Sequence, residues 1–171
     1  GGAQIDKKGL HKITLSFNKE EKSMFGDVLN KTGLRSVSNI EQDKNFVVQQ
    51  WKNLYIFSKR FLMNDIVPFN HHRPRKENFL RGFLDHSSTK TMKKYLSLLK
   101  EKDVLEVKEF ASLLGIRKDS LLDTLRKEKY ESFLRLNGKG IRSSPFRFSI
   151  SDEGAFFLQM VNKMEKLIKA A

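Results

Sequence analysis

The sequence predicts a mainly α fold with a small β-hairpin in its carboxyl half, and three observations predict it. Apolar residues recur at helical spacing through several stretches separated by short polar connections. The line Phe110-Ala-Ser-Leu-Leu-Gly-Ile-Arg-Lys-Asp-Ser-Leu-Leu-Asp-Thr-Leu125 places small Ala111 four positions before Gly115, with apolar Ile116, Leu121, Leu122 and Leu125 beyond it. Two helices crossing steeply need a small residue where their backbones approach and a glycine where the first one stops. Third, Asn137-Gly-Lys-Gly140 separates two short apolar-alternating runs, the mark of a hairpin.

The elements follow in order. Residues 1–9 read as a flexible leader or tag remnant, the kind a fragment of a longer protein would carry. Residues 10–86 read as a helical amino-terminal domain with one short strand. That strand is Lys12-Ile-Thr-Leu-Ser-Phe17, which alternates polar and apolar. Asn18 then caps a helix with Glu20 and Glu21 in its first turn, where the helix dipole favours them. This helix carries Met24, Phe25, Val28 and Leu29 and stops near Gly33. Ser36 to Asn39 is a second capping region. From there to about Met63, Val47, Trp51, Leu54, Tyr55, Phe61 and Leu62 recur at helical spacing, while Val48, Ile56 and Phe57 lie on other faces. A helix apolar on more than one side is either central to the core or covered by a second copy in a homodimer. Pro68 to Arg75 is a loop or linker. A short helix follows with Phe79, Leu80, Phe83 and Leu84 on one side, and Asp85 to Ser88 ends it and caps the next.

Residues 87–171 read as the second domain. Its first helix, Thr89 to Lys102, buries Met92, Tyr95, Leu96 and Leu99 and is basic at its start. A short connection over Asp103 to Glu106 leads to a helix over Val107 to Leu114. A third helix runs from about Asp119 to Lys129. Phe133 to Leu136 and Phe146 to Ile150 are the hairpin strands. Ser151-Asp-Glu-Gly154 opens a final helix whose buried side holds Phe156, Phe157, Met160, Val161, Met164 and Leu167.

Composition narrows the function. The chain has 171 residues, enough for one or two small domains with a real core. The formal net charge is +13. Residues 1–86 hold 15 Lys/Arg against 9 Asp/Glu, and residues 87–171 hold 18 against 11, so the excess is not confined to a tail. Polyanions are therefore the expected partners, nucleic acid before anionic membrane, although a basic surface that only keeps the chain solvated has the same composition. A clear basic amphipathic helix with a free apolar face is absent, so no membrane partner is expected. No apolar run reaches the length of a membrane span and no signal-peptide pattern is present, which with the absence of Cys fits an intracellular setting, cytoplasm and nucleoid or nucleus. His71 and His72 are neighbours that do not project to one metal, so no metal site and no cofactor are expected. There is no Gly-rich phosphate loop, no metal-spaced carboxylate motif and no Ser-His-Asp set. Tyr55, Tyr95 and Tyr130 are the phenols, and nothing in the sequence marks one as activated. The expectation is a protein that is not an enzyme.

The order helix, helix, helix, strand, turn, strand, helix over residues 89–171 resembles the winged helix-turn-helix superfamily. Phe110-Ala-Ser-Leu-Leu-Gly-Ile is similar to the first half of a bacterial-type helix-turn-helix, and Ile150-Ser-Asp-Glu-Gly154 to the strand exit and helix cap after the wing. The resemblance implies double-stranded DNA binding, with the third helix in the major groove. Its open face would offer Arg117, Lys118, Ser120, Thr124 and Lys127; Asp119, Asp123 and Glu128 would oppose a phosphate backbone, unless Asp119 caps the helix and Asp123 accepts from cytosine. The wing would add Lys139, Arg142, Ser143 and Ser144. Lys90, Lys93 and Lys94 would touch flanking phosphates, and Arg73, Arg75 and Lys76 would form a further basic clamp. The implied role is transcriptional regulation or control of a mobile element or plasmid. Winged helices also serve as protein-interaction modules, and the alternative is such a module inside a DNA replication or chromosome-associated complex. The first half more faintly resembles ribbon-helix-helix proteins. In that case Lys12, Thr14 and Ser16 would read the groove from strands paired between two copies.

Overall fold

The computed structural model describes residues 3–5, 13–32, 36–38, 45–49, 57, 61 and 76–170. The chain is mainly helical with antiparallel sheets, and it divides into two units. One comprises residues 1–90 with 159–171, the other residues 91–158. The sequence placed the boundary near residue 86 and kept the final helix whole. In the structure that helix is shared between the units.

In the first unit, β1 (Ala3–Ile5), β2 (Ile13–Asn18), β3 (Ser36–Ser38) and β4 (Asn45–Gln49) form a four-stranded sheet in the order β1-β2-β4-β3. The alternation of residues 12–17 correctly predicts β2. The other three strands correct the sequence reading. Residues 3–5, expected within a flexible leader, pair with β2 through Ala3↔Leu15 and Ile5↔Ile13. Residues 36–38 and 45–49, expected to cap and begin a long helix, are strands, with Leu15↔Val48 and Val37↔Val47 among their pairs. The reason is arithmetic. The offset of four from Val47 to Trp51 suits a strand period as well as a helical one, and the adjacent β-branched pair Val47-Val48 favours the strand. Phe57 and Phe61 do have helical backbone. Trp51, Leu54, Tyr55, Ile56 and Leu62 lie outside the described residues, and with them most of the helix expected to form a dimer. Because β2 is flanked by β1 on one edge and β4 on the other, it has no edge to pair with a second copy, which removes the ribbon-helix-helix arrangement.

α1 (Lys19–Thr32) begins with a reciprocal capping box. Asn18 Oδ1 accepts from the Glu21 amide at 2.7 Å, and Glu21 Oε2 accepts from the Asn18 amide at 3.0 Å. Phe25, Val28 and Leu29 are buried as expected, while Met24 is exposed. The Phe17 and Phe25 rings meet edge to face at 6.2 Å. α2 (Lys76–Asp85) buries Leu80 and Phe83, and the Phe83 ring lies 6.2 Å from that of Phe61. His86 rather than an Asp or Ser supplies the next cap: its Nδ1 accepts from the Ser88 amide at 3.2 Å.

α3 (Ser87–Lys102) buries Met92, Tyr95, Leu96 and Leu99, the stripe its spacing predicts. In the second unit Tyr95 and Leu99 join Leu105, Phe110, Ala111, Leu121, Leu125 and Phe148 in one core cluster. The connection expected over 103–106 is instead β5 (Val104–Glu106), which pairs with the hairpin through Leu105↔Phe148. Three residues are too few to show an alternation that would reveal it. α4 (Val107–Leu114) has the predicted bounds. It ends as its glycine requires: Gly115 takes φ 67°, its amide donates to Ser112 O at 3.1 Å, and Ile116 N donates to Ala111 O at 3.1 Å.

α5 (Lys118–Leu125) is shorter than predicted, and α6 (Glu128–Glu131) follows as a separate turn. Lys127 between them is extended, with ψ 136°. Tyr130 stands five positions after buried Leu125, about 140° round a continuous helix. The break lets both side chains be buried. β6 (Leu134–Asn137) and β7 (Arg147–Ile150) complete the sheet β5-β7-β6. The chain reverses later than Asn137-Gly138 suggests. Asn137 still pairs with Arg147, and the reversal lies at Ile141–Ser144, where Ser144 N donates to Ile141 O at 2.9 Å. Pro145 has no amide to extend the ladder, so the loop opens before it turns. α7 (Asp152–Ala170) starts at Ser151, whose Oγ accepts from the Gly154 amide at 3.1 Å, and the six core residues expected on it are buried.

Candidate nucleic-acid interface

Helix α5 and the hairpin loop are held in place by buried anchors, which leaves their polar residues outward. Leu121 and Leu125 fix α5 to the core, so Arg117, Lys118, Asp119, Ser120, Asp123, Arg126 and Lys127 are exposed. The hairpin is tied to α4 by Val107 N, which donates to Phe146 O at 3.0 Å. Its loop is closed by Ser144 O, which accepts from Lys139, Gly140 and Ile141 amides at 3.0, 2.9 and 3.3 Å. Lys139, Arg142 and Ser143 stand exposed on this loop.

The structure brings some of the predicted residues together. Lys118, the first residue of α5, and Arg142, at the hairpin reversal, line one open cleft of about 180 Å³. Lys108 from the first turn of α4 joins them, a residue the sequence reading missed. Nothing in its local sequence separates it from other exposed lysines; only the return of the hairpin to α4 does so. Among the described residues, Lys108, Lys118 and Arg142 make no ion pair. Glu106 also lines the cleft, and its Oε1 is held by Arg147 Nη2 at 3.2 Å. Arg126, also missed, places its guanidinium carbon 5.9 Å from the centre of the Phe146 ring.

Other predicted residues are placed differently. Asp119 does not cap α5: the cap position is Arg117, and no side chain bonds the first-turn amides. Thr124 Oγ1 donates to Ser120 O at 2.9 Å, so its proton is committed within the helix. Lys90 and Lys94 are exposed on α3, and Lys93 there is half-buried. Arg73 and Arg75 lie outside the described residues. Arg135 is engaged by Asp152 at 3.5 Å.

Burial, and secondarily the neighbouring Tyr130, push the Tyr95 hydroxyl above its ordinary pKa. An activated phenol needs a shift in the other direction. Among the described residues no three His, Cys, Asp or Glu side chains are grouped to hold a metal ion, and no helix is long and apolar enough to cross a membrane. Comparison with protein-family models, with curated proteins and with solved structures found no match.

Proposed function

We propose that this chain binds double-stranded DNA through a winged-helix carboxyl half, in the role of a transcriptional regulator or of a mobile-element or plasmid control protein. The observation that carries this reading is the cleft where Lys118 of α5 and Arg142 of the hairpin converge with no carboxylate partner among the described residues. The element order supports it as well: α3, β5, α4, α5, the single turn α6, β6, β7 and α7, with β5 closing the sheet beside the hairpin. On this reading α5 enters the major groove, Arg117, Lys118 and Lys127 neutralise phosphates or read guanine, and Asp123 accepts from cytosine. The hairpin, with Lys139, Arg142 and Ser143, clamps the backbone. Lys90, Lys93 and Lys94 reach flanking phosphates.

The test is fluorescence anisotropy with a random-sequence duplex over a salt series, coupled to a bind-and-sequence selection. A site-specific binder loses affinity steeply with salt and enriches a motif. Lys118→Glu combined with Lys127→Glu is expected to abolish binding while the circular dichroism and melting profile stay those of a folded chain. Unchanged affinity in that folded variant would sink the docking model.

A second reading, a protein-interaction module within a replication or chromosome-associated complex, draws on a specific feature. Leu113 and Ile116 are 48% and 38% exposed beside the α4–α5 turn, and Asp119 and Asp123 share the exposed face of α5. Such a module binds DNA weakly without sequence preference and recovers one protein partner in stoichiometric yield.

A further inference from the structure

We propose that the cleft between the hairpin reversal and the starts of α4 and α5 is a phosphate-binding subsite, with Lys108 as its third cation, and that it takes one backbone phosphodiester of the bound DNA. This rests on the DNA-binding reading above.

Three kinds of observation meet there. The first is charge. Lys108, Lys118 and Arg142 surround the cleft without ion-pair partners among the described residues. The one carboxylate in the lining, Glu106, is bonded to Arg147 at 3.2 Å. The second is backbone. Both helices that reach the cleft begin without a side-chain cap, at Glu106 for α4 and Arg117 for α5. The Val107 amide is taken by Phe146 O, while the other first-turn amides lack the side-chain acceptor that helices ordinarily recruit, and a phosphate oxygen supplies one. Glu109 and Asp119, in those same first turns, partly offset the field and make the subsite moderate in strength. The third is shape. Ile141, Pro145 and Phe146 give the cleft of about 180 Å³ an apolar wall. A phosphate facing the cations with its sugar against the apolar wall uses both surfaces. The wall is held in position, because Phe146 O receives the Val107 amide.

The test compares the full chain with Lys108→Ala, and with Lys100→Ala as a control for loss of an exposed lysine on α3. Duplex affinity is measured across salt, and amide shifts are recorded as inorganic phosphate is added. Lys108→Ala is expected to weaken duplex binding several-fold and to reduce the log–log salt slope by about 0.9, the value of one phosphate contact. Lys100→Ala leaves the slope unchanged. Inorganic phosphate is expected to shift the amides of Lys108, Lys118 and Gly140. A Lys108→Ala slope equal to that of the parent or of the control, with salt-steep binding intact, overturns the subsite and leaves the DNA reading standing. Cleft amides that respond to inorganic phosphate in a chain that does not bind duplex support the anion subsite and overturn the DNA backbone as its source. No response to either probe overturns both.

Discussion

Glu21 carries two jobs with one oxygen. Its Oε2 accepts from the Asn18 amide at 3.0 Å and from Lys163 Nζ at 3.4 Å. The Lys163 ammonium also lies 4.8 Å from the centre of the Phe17 ring and is buried. The capping half of this arrangement was legible in the sequence, because Asn18 and Glu21 are three apart and a cap is a local bond. The ion-pair half was not, because it joins residues 142 positions apart. Removing only the carboxylate leaves a buried ammonium uncompensated. Glu21→Ala is expected to cost about 3 kcal/mol in urea denaturation, and Glu21→Ala with Lys163→Met to recover a good part of it. Equal losses in the single and double variants would show that the pair contributes nothing beyond the cap.

At the level of elements, the start of α7 shows why one glycine is fixed. Ser151 Oγ donates to Ser132 O at 2.6 Å and accepts from Gly154 N, which draws the first turn of the helix against the chain leading into β6. A β-carbon on Gly154 would overlap Phe133 O and stand 3.0 Å from Ile150 Cγ1. Helix propensity alone favours alanine there by about 1 kcal/mol. The overlap with backbone is the larger effect, so Gly154→Ala is expected to destabilise by about 1–3 kcal/mol, read from the shift in denaturation midpoint. A stabilised variant would mean that the chain at Phe133 yields to the added methyl at no net cost. The sequence marked Ser151-Asp-Glu-Gly154 as a helix start correctly, again because capping is local. It misplaced the hairpin reversal and ran α5 on into α6. The break after α5 depends on the burial that Tyr130 finds in the core, which no local pattern encodes, whereas the late reversal follows from Pro145, whose missing amide the Asn-Gly signal outweighed in the sequence.

For the whole molecule, the charge of +13 weighs on folding and, on the proposed DNA-binding reading, on binding with opposite signs. Self-repulsion weakens the compact state at low ionic strength, and salt screens it. The melting temperature is therefore expected to rise between about 50 and 500 mM salt, where the Debye length falls from above 10 Å toward 4 Å. On the proposed DNA-binding reading, duplex affinity falls over the same range. Parallel losses of both would mean that ion pairs, not repulsion, dominate stability. What the sequence determined by itself was set by short-range physics: the bounds of α1 and α4, the capped start of α7, the buried stripes of α1, α3 and α7, and the exposure of Lys118 on α5. The tertiary structure alone decided the four-stranded sheet, the strand β5, and the cleft that gathers Lys108, Lys118 and Arg142. Strand pairing and charge clustering join residues distant in the chain, and their energies depend on which surfaces the core leaves facing each other.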